Sequence, residues 1–416
     1  MTPRAGLSFL TLLLFSPEAP CLAAPWKRHL IDTADPANHR SGADGVRLGD
    51  LNGDGRPDLV TGWEEGNQIR VCLQPVAGKV KKPWQAITVG KVGSPEDAVF
   101  ADLDNDGRLD VVSATEGSER TVFVHWAPQA PGEITDESLW KTAPVSATAG
   151  KQWWMYSLPL DVDRDGDIDL IVGSKNTGAS VSWLRNPGGT SARDLSKWEA
   201  TRLAGAGWIM SLELLEQDGE RFLVYSDRKG PTSGIYLAPL LKEAPWFGAP
   251  IAIGAAGEEV MFLDIAHYDD DSRVDIVAAI RPHTVRVHLQ PENLTEAWEK
   301  TINYDPVPID RFGSVKAVRV VKPPLRIDPW SEPRMVVTCE NAIGEKAGVI
   351  RTSNTTAWES VSGPEGIKFD RIELLDLDED GDLDIITCEE KAGLGVVWYE
   401  NPGSPGRFQF KMGAEF

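Results

Sequence analysis

The chain has 416 residues, 63 of them Asp or Glu and 42 Lys or Arg, so its formal net charge is −21. Nucleic-acid-binding proteins need a basic surface, and this acidic balance argues against that class. Hydrophobic residues make up 41% of the sequence, which is enough for a folded core and excludes a largely disordered chain.

The first 24 residues have the order of features that is typical of a secretory signal peptide. Arg4 supplies a positive charge, residues 7–15 form an apolar run, and the small residues Ala23 and Ala24 follow. The apolar run is shorter than the ~20 residues that a membrane-spanning helix needs. The sequence therefore predicts a signal peptide over residues 1–24, export to the periplasm, cell surface or exterior, and no transmembrane segment.

Three cysteines remain after the predicted cleavage, each within an apolar, strand-like run: Cys72, Cys339 and Cys388. An odd number allows at most one internal disulfide. The apolar surroundings favour buried free thiols over a disulfide or a zinc site.

The remaining part of the chain, residues 25–416, repeats one pattern seven times. In each repeat a Trp opens a short extended segment, and a loop, an apolar strand, often an Asp-rich turn and two more strands follow. Four short strands in a unit of about 50 residues are typical of a propeller blade. We expect an all-β, seven-bladed β-propeller, in which the recurring Trp serves packing. The seven repeats begin near Trp26, Trp84, Trp140, Trp198, Trp246, Trp298 and Trp358.

Closure of the ring leaves two alternatives. Either residues 26–31 supply the last strand from the N-terminus, or residues 408–411 supply it from the C-terminus. Either strand would pair a sheet edge that is otherwise free.

Four repeats carry the pattern Asp-x-Asp/Asn-x-Asp-Gly-x-x-Asp between two strands. Oxygen ligands at alternating positions, with Gly at the sharp turn, suit a hard cation of flexible coordination such as Ca²⁺. Three or four carboxylates within nine residues would repel one another without a bound cation. We expect about four calcium-binding hairpin loops, with ligands from Asp50, Asn52, Asp54, Asp58, Asp102, Asp104, Asp106, Asp110, Asp161, Asp163, Asp165, Asp169, Asp376, Asp378, Asp380 and Asp384.

These loops differ from EF-hands, because position twelve is never Glu and an apolar strand follows each loop directly. Magnesium fits less well, since it keeps several of its waters. The other repeats depart from the pattern. The fifth has His267 and Ser272 at loop positions, so any metal there would bind weakly or differently. The fourth lacks both end ligands, and the sixth has a Pro-rich insertion over residues 321–333.

The repeat and its Asp-rich loop, as in Asp102 to Asp110, resemble the FG-GAP/VCBS repeat family, which also forms the heads of integrin α-subunits. The resemblance extends over nearly all of residues 25–416. It implies a seven-bladed propeller with calcium in the inner hairpins. It does not imply one activity, because relatives include adhesion modules, sugar-binding domains and polysaccharide lyases.

The face opposite the Asp-rich loops should gather the loops that enter each inner strand and leave each second strand. Acidic, basic and aromatic residues occupy almost every one of these loops. Such mixtures bind carbohydrate, because aromatic rings pack on sugars and charged groups bind hydroxyls or carboxylates. The candidate ligand-binding residues are Glu96, Asp97, Lys151, Gln152, Trp153, Trp154, Lys175, Trp208, Arg228, Lys229, Arg281, His283, Lys316 and Lys368.

The function predicted from these patterns is a binding module for carbohydrate, with an anionic glycan favoured by the clustered cations. A binding role is preferred over an enzymatic one, because the sequence has no nucleophile motif, transition-metal cluster or Gly-rich phosphate loop. Two alternatives stay open. One is a polysaccharide lyase or other carbohydrate-active enzyme, using Lys or Arg with a His or Tyr base. The other is an adhesion module that binds a protein or another cell-surface ligand.

Overall fold

The computed structural model describes residues 26–403, apart from 36, 38, 39, 270, 322–333, 353 and 354. The predicted signal peptide, residues 408–411 (the C-terminal alternative for ring closure) and most of the Pro-rich insertion lie outside the described residues. Within the described ranges the regular structure consists of strands and short 3₁₀ turns, and no helix there is long and apolar enough to cross a membrane.

Seven four-stranded antiparallel sheets form the blades of a propeller. The first strand in the chain is β1 (Lys27–Asp32). Blades one to three follow as β2 (Ala43–Gly49), β3 (Asp58–Trp63), β4 (Gln68–Leu73) and β5 (Gln85–Gly90); β6 (Pro95–Ala101), β7 (Asp110–Thr115), β8 (Val122–Trp126) and β9 (Lys141–Pro144); β10 (Trp153–Leu160), β11 (Asp169–Lys175), β12 (Ser180–Arg185) and β13 (Glu199–Gly205).

Blades four to six are β14 (Ile209–Gln217), β15 (Glu220–Asp227), β16 (Gly234–Leu240) and β17 (Ile251–Gly254); β18 (Val260–Ala266), β19 (Asp275–Ile280), β20 (Thr284–His288) and β21 (Thr301–Asn303); β22 (Ser314–Val321), β23 (Arg334–Glu340), β24 (Val349–Thr352) and β25 (Trp358–Ser360). Blade seven contains β26 (Phe369–Leu375), β27 (Asp384–Glu389) and β28 (Gly395–Glu400), and β1 completes it. The 3₁₀ turns are Ala77–Lys79, Pro131–Glu133, Glu137–Leu139 and Gly189–Ser191.

The first strand of each blade lies next to the central axis. These seven inner strands contact one another in chain order, and β26 returns to contact β2, so the ring is closed. The second strands are rich in β-branched and small residues and are buried along their length, as in β3, β7, β19 and β27. The core therefore lies between the faces of neighbouring blades, where each blade covers the next.

The N-terminal strand closes the ring. β1 pairs antiparallel with β28, with Leu30 opposite Val397. His29 stacks on Trp398 with ring centroids 4.4 Å apart. Trp398 and Trp63 are both fully buried at the junction of blades seven and one. Of the two alternatives left by the sequence, the described residues support closure by the N-terminus.

The recurring Trp serves packing, as predicted. The strand that follows it is the outermost strand of the preceding blade, so the sequence repeat and the blade are offset by one strand. Trp84, Trp140 and Trp198 are at most 6% exposed. Their indole N–H groups donate to backbone carbonyls of the preceding connection, such as Ile134 in the case of Trp140, at 2.9 Å. Cys72, Cys339 and Cys388 are buried free thiols, also as predicted.

Candidate functional site

The Asp-rich loops connect the first and second strands of their blades, so they all lie on one face of the propeller. The first Asp of a loop organises the turn. The carboxylate of Asp50 accepts the N–H groups of Asp54 at 3.0 Å and Gly55 at 2.9 Å. The positive φ of +83° at Gly55 explains why this position is Gly. Asp102 and Asp376 make the same pair of bonds in their own loops.

The last Asp of each loop ties the turn to the third strand. Asp58 accepts the N–H of Leu51 at 3.0 Å through Oδ2 and that of Gln74 at 2.8 Å through Oδ1. Burial raises the pKa of Asp58 to about 6, and it raises the pKa of its equivalents to about 7. The equivalent residues are Asp110, Asp169 and Asp384, and Asp275 of blade five makes the same bonds.

Several loop oxygens are buried with no hydrogen-bond partner among the described residues: Oδ1 of Asp104, Oδ1 of Asp161 and Oδ1 of Asp378. Carboxylate oxygens converge in the same places. In blade two, those of Asp102, Asp104 and Asp106 lie within 4.8 Å of one another. In blade three, those of Asp161, Asp163 and Asp169 do the same. A buried, unpaired carboxylate oxygen is costly, so these donor sets fit a hard cation such as Ca²⁺.

Cations from neighbouring blades contact two of these loops. Nζ of Lys81, in the β4–β5 connection of blade one, lies 2.9 Å from Oδ2 of Asp378 and 2.8 Å from Glu400, both in blade seven. Arg193 of blade three pairs with Asp104 of blade two. The loops therefore contribute to contacts between blades.

The loops of blades four and five, which depart from the Asp-rich sequence pattern, differ in structure from these four. In blade four, β14 and β15 are joined directly by a tight turn at Asp218 and Gly219, whose φ angles are +54° and +78°. In blade five, Nδ1 of His267 bonds to the carbonyl of Arg273 at 2.8 Å, and Arg273 pairs with Asp271. The equivalent Arg–Asp pair also forms in blades one and two, as between Arg56 and Asp54, so the His267 side chain is what distinguishes the fifth loop.

The opposite face carries a ring of charged side chains around the axis, most of them in ion pairs. Lys175 contacts Glu96 at 3.2 Å and also pairs with Glu116. The predicted cations Arg228, Arg281, Lys316 and Lys368 also lie here. Their acidic partners are Glu259 for Arg228 at 3.5 Å, Glu340 for Arg281 at 3.0 Å, Asp370 for Lys316, and Glu390 for Lys368.

Burial is the largest influence on the pKa values of the carboxyl groups Asp44, Glu96 and Asp370 in this ring. Burial raises the pKa of Glu96 to about 8, although Lys175 acts in the opposite direction. Burial and the nearby charge of Asp370 raise the pKa of Asp44 well above its usual range. Burial alone would raise the pKa of Asp370 too, but Lys316 and the hydrogen bond from Asp44 hold it below the usual range. The pKa values of Asp44 and Asp370 are therefore shifted in opposite directions beside Lys316.

Trp208 is the aromatic centre of this face. Three cations lie over its ring: Lys175 at 4.8 Å, and Arg228 and Lys229 each at 4.6 Å. Asp227 fixes the loop by accepting the backbone N–H of Trp208 at 2.7 Å. Among the described residues Lys229 forms no ion pair with a carboxylate, and it is exposed.

The remaining candidates occupy varied positions. Trp153 is half-buried beneath Arg120, whereas Trp154 is only 2% exposed and packs between blades two and three, where a ligand cannot reach it. Gln152 bonds to Ser174 and Ser180 inside blade three. Asp97 is buried beside Arg47 at 3.6 Å. Of two further candidates, Lys151 is exposed at the surface and His283 is half-buried.

A deeper charged layer was not predicted. Arg371 lies 2% exposed near the axis, with its guanidinium over Phe262 at 4.5 Å and Tyr156 at 4.8 Å. Arg319 pairs with Asp264 at 2.9 Å in the same layer. These residues sit within inner strands rather than loops. Charged residues inside otherwise apolar inner strands are the sequence signal that could have identified them.

The fold and the loops together define a β-propeller repeat module. Residues 50–113 match the family model of the FG-GAP-like repeat, so this part of the chain is an FG-GAP-like repeat and the resemblance is confirmed. The crystal structure of BBS1N in complex with ARL6DN has a similar fold, with a TM-score of 0.50 and 11% identity over 91% of this chain and 97% of that chain. Because 262 chains of known structure match, and this one is so distant in sequence, the similarity defines the fold and not a partner.

Proposed function

We propose that the protein is an exported, calcium-binding module that binds anionic carbohydrate on the face opposite its Asp-rich loops. The observation that carries the ligand proposal is the convergence of Lys175, Arg228 and Lys229 on Trp208. Lys175 and Arg228 already have acidic partners, whereas Lys229 forms no ion pair in the described ranges, so Lys229 is the cation there that can pair with a bound carboxylate. Arg and Lys are suitable partners for carboxylates, and the indole supplies an apolar surface for a sugar ring.

Calcium would be held by the Asp-rich loops of blades one, two, three and seven. The unpaired, buried oxygens of Asp104, Asp161 and Asp378 support this assignment. The ion would neutralise the loop carboxylates and fix the turn between the first two strands of each blade. It would lie on the far side of the propeller from the ligand, so its role is structural.

A binding role is favoured over catalysis because most charged groups near the axis are held in ion pairs. Lys175 contacts two carboxylates, and Lys316 is buried against Asp370. Such groups position a ligand well but are poorly placed to move protons. His283, a His on this face, has the hydroxyl of Thr284 3.3 Å from its Nδ1.

The test is a glycan screen with acidic and neutral oligosaccharides, followed by calorimetry on each hit. Lys229→Glu should weaken an acidic hit about tenfold or more, because it replaces an attraction by a repulsion at the ligand. Lys82→Glu changes the net charge equally on the loop face and should leave binding unchanged. Unsaturated or reducing ends released from a hit would show an enzyme instead. Protein partners without any glycan hit would show an adhesion module.

A further inference from the structure

The Asp-rich loop of blade one differs from the other three complete loops at one ligand position. Its third position is Asn52, and the residues at this position in blades two, three and seven are Asp104, Asp163 and Asp378. Asn52 is followed by Gly53, and this is the one Asn-Gly pair in the sequence. An Asn side chain next to Gly is especially open to attack by the following backbone nitrogen, because Gly has no Cβ to shield that nitrogen.

The backbone nitrogen of Gly53 is unhindered. Gly53 is exposed, its φ angle is +71°, and no atom outside its chain neighbours lies within 4 Å of the place that a Cβ would take. Its N–H group donates no hydrogen bond among the residues that the structure describes. No hydrogen bond of this nitrogen therefore has to break before it reacts.

The side-chain amide of Asn52 is polarised by its hydrogen bonds. Its Oδ1 accepts the backbone N–H of Asp54 at 2.9 Å, and its Nδ2 donates to Oδ2 of Asp54, also at 2.9 Å. A donor on Oδ1 stabilises the negative charge that this oxygen gains when a nucleophile adds to Cγ. Asn52 is half-buried and Asp54 is exposed, so water reaches the amide. The nucleophile and the electrophile thus belong to adjacent residues of one exposed turn.

We propose that Asn52 is a site of spontaneous deamidation, and that the aspartyl product completes the set of carboxylates in the loop of blade one. The nitrogen of Gly53 loses its proton to a solvent base and bonds to Cγ of Asn52. The Cγ–Nδ2 bond breaks, and Nδ2 takes up a proton and leaves as ammonia, so a succinimide ring remains. Water then adds to either ring carbonyl and opens the ring to an aspartyl or an isoaspartyl residue. Water is consumed and ammonia released, without an oxidant or a cofactor.

The aspartyl product changes the electrostatics of blade one. It gives this loop the carboxylate that the other three complete loops already have at the third position. Calcium affinity rises with the number of charged ligands, whereas without an ion an added carboxylate increases repulsion. The isoaspartyl product has an extra methylene in the backbone and so displaces the ligands that follow it. The gain in calcium affinity rests on the proposed function, but the deamidation itself does not.

Peptide mapping by mass spectrometry tests the modification on wild-type protein kept in chelator at mildly alkaline pH. The peptide that contains Asn52 should gain the mass of an amide-to-acid change and separate into an aspartyl and an isoaspartyl form. Asn105, which is exposed in the loop of blade two but is followed by Asp106, is the control within the same digest and should stay unchanged. Gly53→Ala should slow the reaction at Asn52 severalfold, because the added Cβ shields the attacking nitrogen.

Calcium titration of Asn52→Asp, which copies the aspartyl product, tests the consequence. One of the sites should bind calcium about tenfold more tightly than in the wild type, because the loop gains a charged ligand. Asn293→Asp adds the same charge at an exposed position outside the Asp-rich loops and should titrate like the wild type.

The outcomes separate the modification from the proposed calcium binding. If the Asn52 peptide keeps its mass, or changes no faster than the Asn105 peptide, Asn52 is not a deamidation site. If Asn52 deamidates but Asn52→Asp binds calcium no more tightly than the wild type, the modification stands and the completion of the calcium site is wrong. If neither protein binds calcium, the proposed calcium binding is wrong, and the mass of the Asn52 peptide still decides whether this residue deamidates.

Discussion

Lys316→Met would remove the positive partner of Asp370, a carboxylate that is only 1% exposed. A contact between unit charges at ~4 Å is worth about 4 kcal/mol at an effective dielectric constant of about 20. Breaking a buried pair by removing one partner costs about 3–5 kcal/mol, which agrees. For a chain of this size, a loss of about 3–5 kcal/mol in stability corresponds to a fall in melting temperature of about 4–6 °C.

The loss should depend on pH. In the wild type the pKa of Asp370 is held below its usual range, so its ionised form stabilises the fold at every pH above the unfolded value near 4. Without Lys316, burial raises the pKa of Asp370, and the folded state bears an uncompensated charge above that higher value. The deficit relative to wild type should therefore be largest near pH 8 and should shrink as the pH falls and Asp370 takes up a proton.

Thermal and urea melts at pH 8 and pH 5 measure this effect. Lys316→Met/Asp370→Asn should recover much of the loss, since it removes both charges. Lys197→Met is the matched control, because the Lys197–Asp194 pair is exposed at 56% and 46% and should contribute little. If Lys316→Met melts like the wild type at pH 8, the buried pair does not stabilise the inner ring.

Three further predictions concern stability. Burial lowers the pKa of His125 to about 3, so the free energy of unfolding should fall by about 1.4 kcal/mol per pH unit between pH 6.5 and 3. In acid melts, the stability of His125→Gln should depend less steeply on pH. An equal dependence would contradict this. Gly90→Ala would place a Cβ 2.1 Å from Nδ1 of His125 and should cost about 1–3 kcal/mol in urea unfolding, so a neutral result would contradict the packing. Lys81→Met should lower the melting temperature more in chelator than in calcium, because a bound ion already neutralises Asp378. An equal or smaller fall in chelator would count against coupling between Lys81 and a calcium ion in that loop.

The propeller was predictable because its signals are local and recur seven times. The recurring Trp and the Asp-rich loops depend on spacing within a repeat, and the sequence shows that spacing directly. The closing terminus was not predictable, since the sequence at either end has the pattern of a strand and only the observed pairing of β1 with β28 decides between them. The offset of one strand between the sequence repeat and the blade was not predictable either. A repeat can be counted from any of its strands, so the sequence does not show which strand lies next to the axis.

The candidate site was predictable only in part. Loop position brought Lys175, Arg228 and Trp208 to one face, as expected. Sequence alone could not show that Lys175 is already paired with two carboxylates, because Glu96 is 79 residues away and belongs to another blade. The pairing of Arg70 with Asp32 was missed for a similar reason. Asp32 lies in β1, which completes blade seven, and Arg70 lies in blade one, so closure of the ring is what brings them together.

Isothermal titration of Ca²⁺ into the chelator-treated protein measures whether the Asp-rich loops bind calcium. We expect about four Ca²⁺ ions per chain, one for each complete loop, and a higher melting temperature when they bind. Asp163→Ala should remove one ion, since Asp163 is 6% exposed within the loop of blade three. No heat of binding, together with a melting temperature that is the same in calcium and in chelator, would show that the loops do not bind calcium.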